Sequence, residues 1–124
     1  MTARRASGRA AHSRGVAAED AACRALENDG WHVLARRLRN AAGEIDIVAE
    51  CCGLLAFVEV KARPTLAGAA EALGARQQAR LLAAGEAALA ENPGWGSAGV
   101  RFDVVVVDDM GRVRRIADAF RLEV

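Results

Sequence analysis

Two short apolar runs with alternating polarity constrain the fold of this chain more than any other feature. They occupy residues 43–49 and 55–61, and residues 50–53 between them have the polar, glycine-containing composition of a tight connection. Alternation over runs of this length predicts β-strands, and so brief a connection predicts that the strands pair as an antiparallel hairpin. The chain is therefore expected to build a sheet around this hairpin.

The hairpin carries more charge than an apolar element normally does. Alternate residues of a strand share a face, so Glu59 and Lys61 point the same way while Val60 turns into the core. By the same rule Glu44 and Asp46 share a face of the preceding strand. Ionised groups are costly to place against a core unless they are paired or bind a metal. The alternative is a surface salt bridge between Glu59 and Lys61, worth about 0 to 1 kcal/mol.

Length and composition narrow the class of protein. A chain of 124 residues with 52% hydrophobic residues fits one soluble domain, and no apolar run approaches the roughly 20 residues that cross a bilayer. Membrane functions are therefore not expected. The three cysteines, Cys23, Cys51 and Cys52, have no CxxC spacing, which favours free thiols in a reducing cytoplasm. Arginine-rich residues 1–12 are expected to form a flexible basic tail rather than a transit peptide, with the domain in 13–124.

The remaining elements predict an α/β fold. Ser13 is a suitable N-cap for a helix that ends near Asn28, and strands are expected over 31–38, in the hairpin, over 100–108 and over 112–116. A second helix is expected over 75–91, and the small residues of 65–74 before it either border a site or simply connect the elements. The four valines at 104–107 predict a central strand covered on both faces. Helices should flank a single sheet.

Two further residues are placed to join the hairpin charges. Glu19 falls on the apolar stripe of the first helix and so is expected to face the sheet, unless it sits at the wet edge of a loosely defined stripe. Lys61 is the only lysine in a chain that otherwise uses arginine, and the two side chains are not interchangeable. Both observations favour a site over a chance cluster.

The hairpin residues suit phosphodiester hydrolysis with a divalent cation. Asp46 and Glu59 on adjacent strands can bring their carboxylates within about 5 Å. Two such charges require a counter-charge, which Mg²⁺, or Mn²⁺ in its place, supplies while keeping several waters. The carbonyl of Val60 lies between the two acids and can complete the ligand set. Lys61 would then orient or help to deprotonate a water, or stabilise charge on a phosphate.

These residues resemble a known nuclease signature. Asp46 followed by Glu59, Val60 and Lys61 is similar to the D-x(n)-[DE]-x-K signature of the PD-(D/E)xK nucleases, whose core has the element order αβββαβ. The match is closer to the YraN family of uncharacterised bacterial proteins, which look like Holliday-junction resolvases of that fold. Four blocks in order carry it, namely G-E-I-D at 43–46, F-V-E-V-K at 57–61, a glutamine at Gln78 and R-F-D-V at 101–104.

The resemblance implies a role for each matching residue. Asp46 and Glu59 would bind the metal with Glu19 as an additional acid, Lys61 would position the water, and Gln78 would line the site or contact phosphate. Two positions depart from the pattern. Ile45 replaces the signature proline, which changes little. Gln77 stands where relatives often have a basic residue, which weakens the expected phosphate contact on that helix.

The sequence thus predicts a restriction-endonuclease-like protein with a mixed central sheet, acting as a divalent-metal-dependent endonuclease on DNA, including branched DNA. The expected phosphate contacts are all arginines, Arg36, Arg37, Arg39, Arg63, Arg76 and Arg80. A basic edge strand also protects against aggregation, so the arginines of the first strand have a second explanation. The alternative function is a nucleic-acid-binding or assembly module without catalysis. Paired incisions would require a homodimer, because one subunit has one site.

Overall fold

The sheet of this protein is organised around the hairpin that the alternating runs predict. The computed structural model describes residues 2–68 and 73–120, with side chains from residue 15 onward. The elements are α1 (Thr2–Asn28), β1 (His32–Asn40), β2 (Gly43–Cys51), β3 (Leu54–Ala62), α2 (Ala75–Glu91), β4 (Gly99–Val107) and β5 (Val113–Phe120). The predicted bounds of the second helix are confirmed, since α2 ends at the Asn92-Pro93-Gly94 break.

The strands form one mixed sheet in the order β1-β2-β3-β4-β5. Three neighbouring pairs are antiparallel, whereas β3 and β4 are parallel. A parallel pair requires a crossover connection, and α2 supplies it. The result is an α/β protein with the element order αβββαβ followed by an edge strand, which confirms the predicted class and is consistent with a restriction-endonuclease-like core.

Each helix covers one face of the sheet, so the protein has two apolar cores. Leu81, Ala84 and Ala88 of α2 pack with the side chains on one face, and Ala22 and Leu26 of α1 pack with those on the other. The four valines at 104–107 of β4 alternate between the two cores and are all buried, as predicted. In the described part of the chain neither helix is long and apolar enough to cross a bilayer.

The helix α2 lies close to the sheet because Gly85 has no side chain. A Cβ atom at this position would approach Cζ of Phe102 to 2.8 Å and Cδ2 of Phe57 to 3.1 Å. These two rings pack with centroids 5.3 Å apart, and Phe102 also stacks on Phe120. Phe120 at the end of β5 therefore docks on the core beneath α2.

Three predicted boundaries differ from the structure. The helical backbone of α1 begins at Thr2 rather than at Ser13, because the preceding segment is rich in alanine and arginine, which are strong helix formers. β1 is displaced to His32–Asn40 and β5 extends to Phe120 instead of ending at Ile116. Predictions for residues 69–72 and for the C-terminal residues 121–124 lie outside the described residues.

Candidate metal centre

The site lies where β2 and β3 separate. Their ladder ends at the pair Ile47 and Val58, so the next residues toward the start of β2 do not pair with β3 and pair only with β1. Ile45 and Ile47 are two positions apart yet belong to different cores, which means that β2 changes its facing at Asp46. Across the sheet in β1, Arg37 has a left-handed φ of 52°. The sheet is locally kinked, and the sequence pattern did not predict this.

The kink places the carboxylate of Asp46 between the two strands. The backbone N–H of Val60 donates to Oδ2 of Asp46 at 2.8 Å, so the side chain takes the place of a missing ladder carbonyl. In a strand, the N–H and C=O of one residue point toward the same neighbouring strand. The carbonyl oxygen of Val60 therefore points into the same gap, while its side chain packs against the core beneath α1 as predicted.

Glu59 and Lys61 of β3 also border the gap. Lys61 Nζ lies 3.3 Å from Oε1 of Glu59, and the two side chains are only 15% and 14% exposed. The predicted shared face is thus confirmed. The pair is a salt bridge, as the alternative interpretation supposed, but it is largely buried rather than on an exposed sheet face. A charge pair taken out of water loses much hydration, so its position calls for a further partner.

The two carboxyl groups perturb each other. The pKa of Glu59 is raised to about 7, chiefly by burial and then by the negative charge of Asp46, while the ammonium of Lys61 opposes the rise. Burial also raises the pKa of Asp46, against the hydrogen bond from Val60. A side-chain hydrogen bond between the two groups adds to the raised pKa of Glu59 and lowers that of Asp46. One lysine is therefore not enough to hold both acids in their charged forms.

Glu19 lies beside this gap and is held by two arginines. Its side chain is 8% exposed, so the inner-stripe prediction is confirmed and the wet-edge alternative is not. Nε of Arg36 donates to Oε1 at 2.9 Å, and Nε of Arg37 donates to Oε2 at 3.2 Å. Glu19, Arg37, Asp46 and Val60 line one open cleft of about 270 Å³ on the α1 side of the sheet. Both oxygens of Glu19 are thus already occupied in this arrangement.

A second cleft of about 200 Å³ opens on the α2 side. Glu59 lines it together with Gln77 and Arg80 of the first turns of α2, and Glu44 lines both clefts. Gln78 does not line either one, because its Nε2 donates to the carbonyl of Leu73 and fastens the start of the helix. The structure thus places Gln77 in the lining of this cleft and Gln78 beside it at the start of the helix, and a phosphate contact by Gln78 stays a prediction.

The arginines fall into two groups. Arg37 and Arg80 line the two clefts, and Arg39 is 80% exposed with a 3.2 Å contact to Glu44. The other predicted phosphate contacts are Arg36, which pairs with Glu19 and Asp20, and the exposed Arg63 and Arg76. The structure thus brings part of the predicted basic set to the site and leaves Arg63 and Arg76 on the surface.

The donors in the gap suit a hard divalent cation. Asp46, Glu59 and the Val60 carbonyl are all oxygen donors, which Mg²⁺ and Mn²⁺ prefer. The raised pKa values of the two acids show that their negative charge is under-compensated. No cluster of three or more His, Cys, Asp or Glu side chains suited to a metal is found over residues 15–68 and 73–120. In this arrangement the Val60 carbonyl is the oxygen donor that accompanies the two carboxyl groups.

The fold and this gap define an α/β protein with a mixed sheet and a partly buried acidic site at the end of the central hairpin. A model of the uncharacterised protein family UPF0102 matches residues 18–107, a segment that contains Glu19, Asp46 and Glu59. The chain belongs to this family, which confirms the YraN resemblance.

Relatives from other bacteria match over most of the chain. A UPF0102 protein of Granulibacter bethesdensis is 63% identical over 109 residues, which are 88% of this chain and 69% of that relative. A UPF0102 protein of Azorhizobium caulinodans is 47% identical over 114 residues, 92% of this chain and 87% of the relative. One from Ruegeria pomeroyi is 45% identical over 109 residues.

Proposed function

We propose that this protein is a Mg²⁺-dependent endonuclease that hydrolyses phosphodiester bonds in DNA. The observation that carries the proposal is the gap between β2 and β3, where two partly buried carboxyl groups, a backbone carbonyl and a lysine meet. A protein gains no stability from two partly buried acids whose pKa values are both raised, so a function that needs the charge explains their proximity. Mn²⁺ is the expected substitute for Mg²⁺.

Asp46, Glu59 and the Val60 carbonyl would hold the cation. A bound Mg²⁺ supplies a polarised phosphate oxygen and a more acidic water. The hydrogen bond from the Val60 N–H to Oδ2 fixes the orientation of the Asp46 carboxylate. Lys61 places an ammonium next to Glu59, where it can orient the water or stabilise charge on a phosphate oxygen.

The two clefts support a nucleic-acid substrate. Arg80 and Gln77 provide donors on one side of the gap, and Arg37 provides a guanidinium on the other. Guanidinium groups bind phosphate oxygens with a matching planar geometry. Branched DNA is the favoured substrate class because of the resemblance to junction resolvases. In that case a homodimer would supply the second active site for paired incisions.

The test is a cleavage assay with labelled four-way junction, flap, single-stranded and duplex DNA in the presence of Mg²⁺ or Mn²⁺. We expect cleavage by the wild type and a loss of about 100-fold or more in Asp46→Asn and Lys61→Met. Arg114→Gln is the matched control, since this exposed arginine lies on the opposite edge strand and should leave cleavage unchanged. Equal cleavage by Asp46→Asn and the wild type would contradict the proposal, as would no cleavage of any substrate.

A nucleic-acid-binding module without catalysis is the second candidate. It is favoured by the engagement of both Glu19 oxygens with arginines, which leaves the first-helix acid unavailable as a ligand in this arrangement. Such a module should bind DNA without any cation, with log K falling by about 0.9 per phosphate neutralised as log salt rises. Anisotropy titrations in EDTA at several salt concentrations measure this slope. An affinity that does not depend on salt would contradict the binding function.

A further inference from the structure

The contact between Glu19 and the arginines of β1 is the least expected feature beside the gap. Successive residues of a strand normally point to opposite faces, yet Arg36 and Arg37 both donate to Glu19. The left-handed φ of 52° at Arg37 makes this convergence possible. A non-glycine residue pays a free-energy cost of about 1 to 3 kcal/mol for such a conformation. The paired arginines are therefore a specific feature of the fold and not a by-product of regular strand geometry.

The two partners of this contact differ in their access to solvent. The Glu19 side chain is 8% exposed, whereas those of Arg36 and Arg37 are 40% and 49% exposed. An anion from solvent can therefore reach the guanidinium groups without opening the fold. Arg36 already has a second carboxylate partner at the surface, since its Nη2 donates to Oδ1 of Asp20 at 2.7 Å. The carboxylate, by contrast, is only 8% exposed, so little water can replace partners that it loses.

A buried carboxylate cannot be left without a counter-charge, because an unpaired ion in such a position costs several kcal/mol. Within the cleft, the groups next to Glu19 are Asp46, the Val60 backbone and Glu44. Among the described residues that line this cleft, Arg37 is the one cationic side chain. If the arginines are drawn away, the remaining partner that can satisfy Glu19 in this cleft is a cation held in common with Asp46.

We propose that Glu19 is a ligand released by substrate: Arg36 and Arg37 hold it in the free protein, and a DNA phosphate that takes these arginines frees the carboxylate to join Asp46 and Val60 at the metal. This inference rests on the proposed function and adds its regulation. The metal site is complete only when a phosphodiester backbone occupies the arginines. Binding of metal and of DNA are then mutually reinforcing, as linkage requires.

The test is the affinity for Mn²⁺ alone, measured by titration calorimetry and by the electron paramagnetic resonance of free Mn²⁺. Four proteins form a double-mutant cycle: wild type, Glu19→Gln, the double variant Arg36→Gln/Arg37→Gln, and the triple variant that combines these changes. We expect the double variant to bind Mn²⁺ about 5-fold tighter or more than wild type, which is the lower end of typical coupling between sites. The triple variant should show no such gain over Glu19→Gln.

The cycle separates release of Glu19 from a general change in charge. Removal of two cations near the gap would attract Mn²⁺ with or without Glu19, so an equal gain in the triple variant would overturn the proposal. A double variant that binds no tighter than Arg114→Gln would overturn it as well. Either result would still be compatible with the proposed nuclease function if wild type binds Mn²⁺ and Asp46→Asn does not. No Mn²⁺ binding by any of the proteins would refute both.

A second measurement covers the case in which the double variant does not fold. Glu19→Gln removes the buried charge and leaves the arginines in place, so it should release them toward phosphate. We expect it to bind a fluorescent 20-base-pair duplex in EDTA about 5-fold tighter than wild type. Glu86→Gln, which changes the same charge at an exposed position on α2, controls for the net charge. Equal binding by Glu19→Gln and Glu86→Gln would overturn the proposal.

Discussion

Replacement of Glu59 by glutamine tests the electrostatic argument most directly. The pKa of Glu59 is raised from 4.5 to about 7 in the folded protein, chiefly by burial and by the charge of Asp46. At 1.36 kcal/mol per pKa unit, this rise corresponds to a loss of about 3 kcal/mol of stability once the group is ionised. Glutamine has nearly the same shape but no charge, so Glu59→Gln should not show this loss.

The direction of the effect follows from proton binding. Between about pH 4.5 and pH 7 the unfolded chain has released the Glu59 proton while the folded protein retains it. Stability of the wild type therefore falls as pH rises through this window, and the loss is complete above about pH 7. Asp46 acts in the same direction because its pKa is also raised. Asp108, whose pKa is lowered, affects stability only under more acidic conditions and does so equally in both proteins.

Urea unfolding followed by circular dichroism at about pH 5 and about pH 8 measures the difference. We expect the wild type to lose about 3 kcal/mol relative to Glu59→Gln between the two conditions, or roughly 10 °C in Tm for a chain of this size. Glu86→Gln is the control, since it removes an exposed glutamate from α2. The reasoning is refuted if wild type and Glu59→Gln change by the same amount within about 1 kcal/mol.

Three further outcomes are expected. Affinity for Mn²⁺ should rise as pH passes about 7, because Glu59 must lose its proton to bind metal, and calorimetry in buffers of different ionisation enthalpy should show the released proton. Gly85→Ala should lower the free energy of unfolding by about 1 to 3 kcal/mol, because the new Cβ would lie 2.8 Å from Cζ of Phe102, and denaturant unfolding measures this. Asp103→Ala should cost about 3 to 5 kcal/mol in the same assay, since the fully buried carboxylate is 3.0 Å from Arg101 and 3.3 Å from Arg115; a cost below about 1 kcal/mol would contradict a structural role.

Regular features of the fold were predictable from local sequence. The bounds of α2 follow from its apolar period and from the Asn92-Pro93-Gly94 stop, and the four valines at 104–107 identify β4 as an interior strand of the sheet. The inward position of Glu19 follows from helical spacing alone. These features depend on periodicity, which a single sequence displays fully.

The arrangement at the gap was less predictable because it depends on departures from regular geometry. Nothing in the residue type of Arg37 indicates a left-handed backbone, and without that conformation the convergence of Arg36 and Arg37 on Glu19 cannot be foreseen. The choice between Gln77 and Gln78 depends on how far α2 is rotated against the sheet, and that rotation is set by packing. The start of α1 lies before the predicted Ser13 because the helix propensity of the preceding segment outweighs the N-cap preference of that serine.

The position of the carboxyl pair at the end of two separating strands has a consequence for the shape of the ligand. The gap is open to both faces of the sheet, with Arg37 beside it on one face and Arg80 on the other, and Glu44 borders both openings. A compact metabolite would fill one opening and leave the other without use. A long polymer that passes over the strand ends would contact both openings at once, with its backbone lying across the ends of β2 and β3. This geometry suits the proposed polymer substrate better than a small ligand enclosed in one cleft.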